Sequence, residues 1–309
     1  MREGDIPRAA ELLRSGGLVV FPTETVYGVG AHALDPRAAA RIFEVKGRPR
    51  FDPLIVHLAG LEGIDAVVAE LPEAAVRLAE RFWPGPLTLV LKKTARVPDL
   101  VTAGHDTVAV RVPRHPIAQA LLRAAGIPVA APSANRFGGV SPTRAEHVTL
   151  EVDMILDGGP CAVGVESTIV SLAGPQPILL RPGGLPLEAI EAVVGAVEVP
   201  PEDALRTLAP GRQTRHYAPG TTLTLESDPK PGPGRWGLLC LQPPADPAGW
   251  AQVEVLSPTG DLTEAATHLF AALRRLDAAG LEHIVAQPVP EHGLGRAIMD
   301  RLRRAAAGR

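Results

Sequence analysis

Apolar residues recur at helical spacing over residues 6–14, and Gly16-Gly17 follow as a stop signal. Leu18-Val19-Val20-Phe21 is an unbroken apolar run and predicts a buried strand. Asp35-Pro36 supplies an N-cap and a first-turn proline for a helix running to about residue 45. Short apolar runs then predict strands at 54–57, 87–91, 107–112, 129–131, 154–156, 169–172 and 178–181. Helical periods at 73–82, 115–125 and 187–194 alternate with them. Ser141 to Glu146 predicts one more helix start, with Thr143 and Glu146 at capping-box spacing. Beyond residue 220, strands at 221–225, 236–241 and 284–286 alternate with helices at 262–276 and 294–306. Residues 200–220 carry neither period. The pattern is that of an α/β protein with three parts. A first domain covers 1–200, a connector 201–220, and a smaller three-layer α/β unit 221–309.

Composition agrees with that division. The 309 residues are 46% hydrophobic and 21% charged, ordinary for a globular chain with room for two domains. A net charge of −3 offers no basic excess to mark nucleic-acid binding as the main role. Cys161 and Cys240 stand far apart and form neither a disulfide framework nor a metal-ligand spacing. The N-terminal stretch is charged and lacks an apolar signal core, and no window approaches the ~18 apolar residues of a membrane span. The expectation is a cytoplasmic protein without a membrane, a protein-held metal or a permanent cofactor.

Candidate chemistry concentrates at strand ends. In Lys46-Gly47-Arg48-Pro49-Arg50-Phe51-Asp52-Pro53, three cations alternate along a loop stiffened by two prolines. The loop feeds a strand that ends at His57. Such a loop is either a clamp for an anion such as a triphosphate or a solvated basic turn, and these residues leave both open. Thr23, Glu24 and Thr25 crowd three polar groups where the first strand ends, as ligand residues or as a self-satisfied turn. By period two, Thr107, Ala109 and Arg111 share one strand face, and an Arg on so apolar a strand is either paired or binds an anion. Ser133 and Asn135 sit in a small-residue turn that permits close backbone approach, Ser141 precedes the expected helix start, and Arg181 ends a strand beside glycines. Arg215, His216 and Tyr217 put ionic, titratable and aromatic groups into the connector, as a flap or as a spacer.

Taken in order, FPTETVYGVG, KGRP with PLIVH, FWPGPLTLVLKK, TVAVRVP, APSAN followed by SPT, GVESTIV, LLRPGG and APGRQTRHYAP resemble threonylcarbamoyl-AMP synthases of the YrdC-domain type. The resemblance is to their long form with a C-terminal domain. It implies a twisted, mostly parallel or mixed sheet around a concave cleft. It also implies that L-threonine, bicarbonate and ATP with Mg²⁺ give threonylcarbamoyl-AMP and pyrophosphate, the first step of a tRNA modification. On that resemblance Thr23, His57, Arg111, Ala131 and Ser167 hold threonine. Lys46, Arg48, Thr107, Ser133, Asn135, Ser141, Arg181, His216 and Tyr217 hold the nucleotide, with Arg50 a further candidate. The product passes to a tRNA threonylcarbamoyl transferase complex, and direct tRNA binding is not expected. A double-stranded-RNA-binding module without turnover is the alternative, which the net charge and the lack of interleaved aromatic residues disfavour.

Overall fold

A computed structural model describes residues 4–201 and 216–307. Residues 202–215, with most of the expected connector and Arg215, lie outside the described residues. The first fifteen elements are α1 (Asp5–Arg14), β1 (Val19–Phe21), β2 (Gly28–His32), α2 (Pro36–Lys46), β3 (Ile55–His57), α3 (Glu73–Phe82), β4 (Leu87–Lys92), α4 (Asp99–Thr102), β5 (Thr107–Arg111), α5 (Pro116–Ala125), β6 (Val129–Ala130), β7 (Met154–Ile155), β8 (Thr168–Ser171), β9 (Ile178–Arg181) and α6 (Leu187–Val194). After the connector come β10 (Thr222–Leu225), β11 (Trp236–Cys240), β12 (Gln252–Val255), α7 (Leu262–Ala278), β13 (His283–Ala286) and α8 (Gly295–Ala306).

Nine strands form one twisted sheet in the order β7-β1-β2-β6-β3-β5-β4-β8-β9. The sheet is mixed, and its antiparallel neighbours outnumber the parallel ones five to three. One face carries Val56, Leu89, Val110 and Val170 into the main apolar core. On the opposite face, Val19, Phe21, Val129 and Ala131 pack against α1 and α5, while the β3-β5-β4-β8-β9 part carries only a small cluster, Ile55, Val90, Ala109, Ile169 and Leu180. Alternation along each strand puts His57, Arg111 and Thr88 on this second face. The cleft is built there.

Four features depart from the sequence pattern, two of them the unforeseen strand β12 and the short helix α4. The helix expected from Ser141 is absent; only a short 3₁₀ turn, Ala145–His147, forms, and no side chain caps it. The Ser141 hydroxyl instead donates to Glu166 at 2.5 Å, so it is spent on the site rather than on a helix end. β2 was hidden by its glycines. A Cβ on Gly30 would lie 2.8 Å from Phe21 Cε1 and 2.9 Å from Val129 Cγ1, so the residue is small because its neighbours on β1 and β6 press against it.

The second unit is a four-stranded, all-parallel sheet ordered β10-β13-β11-β12. α7 and α8 share a core with Leu223, Leu239, Ile284 and Ala286. Val26, Val140 and Val165 of the first unit belong to the same core. Gly164 meets α7 so closely that a Cβ would stand 2.4 Å from Thr267 Cα. Thr267 Oγ1 donates to Ala162 O at 2.9 Å and Arg274 Nη2 to Val140 O at 2.5 Å. The two units therefore meet through packed apolar surface and directed hydrogen bonds. No described helix is long and apolar enough to cross a membrane.

Candidate active site

Strand register explains how residues distant in sequence converge. Val129 pairs with His57, His57 with Arg111, Arg111 with Thr88, Thr88 with Ile169, and Ile169 with Arg181. This is one row across β6, β3, β5, β4, β8 and β9. From Arg111 to Arg181 it spans three strand spacings, roughly 14 Å. A break in register between Ile169 and Val170 falls at the Arg181 end, as bulges beside sites often do.

A narrow cleft runs over this row. Of the expected threonine residues, Thr23, His57, Arg111, Ala131 and Ser167 all line it. Of the expected nucleotide residues, Arg48, Ser133, Arg181, His216 and Tyr217 line it. Lys46, Asn135 and Ser141 stand one layer behind. Lys46 Nζ donates to the carbonyls of Ser133 at 2.6 Å and Asn135 at 2.5 Å. The Asn135 amide donates to Arg136 O and Gly139 O. Two residues are not brought to the cleft. Arg50 is exposed on the loop after α2. Thr107 shares the face of Arg111 but starts β5, pairs with Lys92, and lies about 13 Å down the strand.

The Arg111 guanidinium is buried against Glu24, with Nη2 to Oε1 at 2.7 Å. Nη1 donates to Thr25 Oγ1 at 2.9 Å and Nε to Gly85 O at 3.2 Å. Nη2 makes no aligned hydrogen bond and is held by the Glu24 ion pair alone. Thr23 Oγ1 bonds Thr25 Oγ1 at 2.8 Å, and Ser167 Oγ bonds Thr88 Oγ1 at the same distance. The hydroxyls are thus held in place by one another.

The other end of the cleft collects cations. Arg48 pairs with buried Asp52 at 2.9 Å and donates to Pro53 O. Burial, and then Arg48, pull the Lys46 pKa well below its usual value, with Asp52 opposing. Burial also lowers His216, and Arg48, Lys46, Arg181 and Arg301 push it further down. Four cations and a neutral imidazole are thus crowded at one end of the cleft. Tyr217 sits over this end with φ 59, a left-handed backbone unusual for a tyrosine, held by a ring stack on Phe270.

Thr25, singled out with Thr23 and Glu24, lines the cleft; the missed contributors are Asp52, Glu166 and Arg301. Asp52 stands four residues after Arg48 and was readable as its partner. Arg301 occupies the apolar face of α8, between Ala297 and Ala305 at helical spacing, and a charge on that face was the available signal.

His57 is a neutral base here. Burial first, and Arg111 second, lower its pKa to about 3 from 6.5. Between those values only the unfolded chain takes up the proton. Stability therefore falls as pH drops from 6.5 toward 3, by up to about 1.4 kcal/mol per pH unit. Urea midpoints at about pH 7 and about pH 5 should fall less steeply in His57→Gln than in the parent. Equal slopes would remove His57 as the source.

Comparison with known proteins decides the family. The Sua5/YciO/YrdC family model, described as "Telomere recombination", matches residues 11–183. The chain belongs to the Sua5/YciO/YrdC family. A second family model, the C-terminal domain of threonylcarbamoyl-AMP synthase, matches residues 185–307, which take in α6 and the second unit. Among Sua5-type relatives, the threonylcarbamoyl-AMP synthase of Pyrococcus abyssi is 44% identical, covering 100% of this chain and 96% of its own. That of Bacillus subtilis is 43% identical, over 98% and 93%. The crystal structure of P. abyssi Sua5 complexed with L-threonine superposes with a TM-score of 0.92 at 44% identity, covering 99% of this chain and 95% of that one. E. coli YciO matches with a TM-score of 0.51 at 29% identity over 58% of this chain, so both units here follow the Sua5 form.

Proposed function

We propose that the chain is an L-threonylcarbamoyladenylate synthase, a nucleotidyltransferase acting in the cytoplasm at the first step of tRNA threonylcarbamoyladenosine formation. Full-length relatives of that name support the reading. The single cleft over the His57–Arg111–Arg181 row is the observation that carries it on the chemical side. Threonine lies at the Arg111 end, its carboxylate on Arg111 and its side chain among Thr23, His57, Ala131 and Ser167. The triphosphate lies at the Arg48–Arg181 end beside Ser133, under His216 and Tyr217. Lys46, Asn135 and Ser141 brace that half from behind. Residues 201–220 act as a flap that delivers the two rings.

Threonine's amine, as the free base, condenses with bicarbonate to a carbamate, with loss of water. A carbamate oxygen then attacks the α-phosphorus, and pyrophosphate leaves. Negative charge gathers in both steps, so fixed cations and geometry contribute the rate. Among the described residues no group of three or more His, Cys, Asp or Glu converges to hold a metal. In this reading Mg²⁺ arrives as the companion of the nucleotide phosphates. The labile product passes to a tRNA-modifying transferase complex.

Purified protein with ATP, Mg²⁺ and bicarbonate is expected to release pyrophosphate when L-threonine is added. Serine, or omission of bicarbonate, should leave it near background. Equal release without an amino acid would overturn the assignment.

A further inference from the structure

We propose that Arg301, delivered by the last helix of the second unit, is a positioning residue that neutralises Glu166 in the cleft wall so that the wall does not repel a polyphosphate. The inference rests on the ATP reading above and adds a part that the second unit plays in it.

Glu166 lines the cleft together with Arg48 and Arg181, the cations assigned to the nucleotide. A bare carboxylate there would oppose the ligand those cations attract. Its two oxygens are occupied from different directions. Oε1 accepts from Ser141 Oγ at 2.5 Å, and Oε2 accepts from Arg301 Nε at 2.9 Å. Only the second partner carries charge.

Arg301 is fully buried although it comes from α8 of the other unit. Its Nη1 donates to Pro182 O at 2.9 Å and to Asp300 Oδ2 at 2.6 Å. Its guanidinium carbon stands 5.0 Å from the Tyr217 ring centroid. One side chain therefore meets Glu166, the backbone next to Arg181, and the ring over the cleft. Three residues further along α8, Arg304 O accepts from His216 N at 3.3 Å. Glu166 and Arg301 act on Arg181 in opposite senses, which places the pair within electrostatic reach of the phosphate end.

A staple between the units would also account for a buried ion pair, and the two roles differ in what they read on. Calorimetric titration with ATP alone, without threonine or bicarbonate, measures affinity apart from turnover. Arg301→Met is expected to weaken ATP about tenfold, while L-threonine affinity stays within about twofold. Arg301→Lys keeps the charge and should recover to within about threefold of the parent. Adding Glu166→Gln to Arg301→Met removes both charges and should likewise restore ATP affinity to within about threefold. The double variant leaves no orphaned charge, so it decides the matter even if Arg301→Met alone does not fold. A double variant that folds and still binds ATP about tenfold weaker would overturn the proposal, as would parent-like affinity in folded Arg301→Met. A parent protein that binds no ATP would instead remove the synthase reading on which this one stands.

Discussion

Arg111→Ala should raise the dissociation constant for L-threonine roughly a hundredfold or more and lower stability by about 3–5 kcal/mol. The two losses have different origins. The first removes a charge-assisted contact to a carboxylate, made by a guanidinium that Glu24 holds in place. The second comes from Glu24, which is buried and loses the cation 2.7 Å away. Glu24 would retain the backbone N–H of Arg114 at 2.9 Å, which is too little to compensate a buried charge. The companion variant Glu24→Gln with Arg111→Ala separates them. Urea denaturation should show most of the stability restored, while calorimetry still shows no threonine binding. Recovery of threonine affinity in that double variant would make Arg111 a structural residue only.

Lys46→Met carries the second large effect, on the other ligand. Its ammonium draws the carbonyls of Ser133 and Asn135 together, one layer behind the cleft. Methionine fits the same space and leaves both carbonyls without that donor. Two charge-assisted bonds at about 1.5–3 kcal/mol each are released, and the Ser133 wall relaxes. Even if only one such bond is reflected in binding, ATP affinity falls roughly ten- to a hundredfold, at about 1.4 kcal/mol per tenfold. Threonine affinity should change by less than about threefold, since the Arg111 end does not touch Lys46. Titration with each ligand in turn checks this, and equal losses for both would point to collapse of the whole cleft.

Much of this was legible before any coordinates, and the reason is local. α2 announced itself by Asp35, whose side chain accepts from Arg37 N, and by Pro36 at its first turn. α3 and β9 have the limits their periodicity gave, the strand-end cations Arg111 and Arg181 stood out against apolar neighbours, and Arg48 stood out in its proline-stiffened loop. What stayed hidden depends on contacts across the sheet or between units. β2 was obscured because Gly28 and Gly30 answer to their neighbours rather than to propensity. The capping-box pattern at Thr143 and Glu146 misled because Ser141 was already engaged by Glu166. Thr107 and Arg111 share a face as period two required, yet period two says nothing of how far along a strand a ligand reaches. Arg301 lies over a hundred residues from its partner Glu166, and only tertiary packing joins them.

The row of paired residues across six strands carries a consequence for how the family can vary. Inserting or deleting a single residue inside β3 or β5 would turn Val56 or Val110 to the ligand and bury His57 or Arg111 among the main-core residues. Such a chain could still form its sheet and would have no chemistry. Length changes are confined to the connections, and the catalytic strands can drift only by substitution.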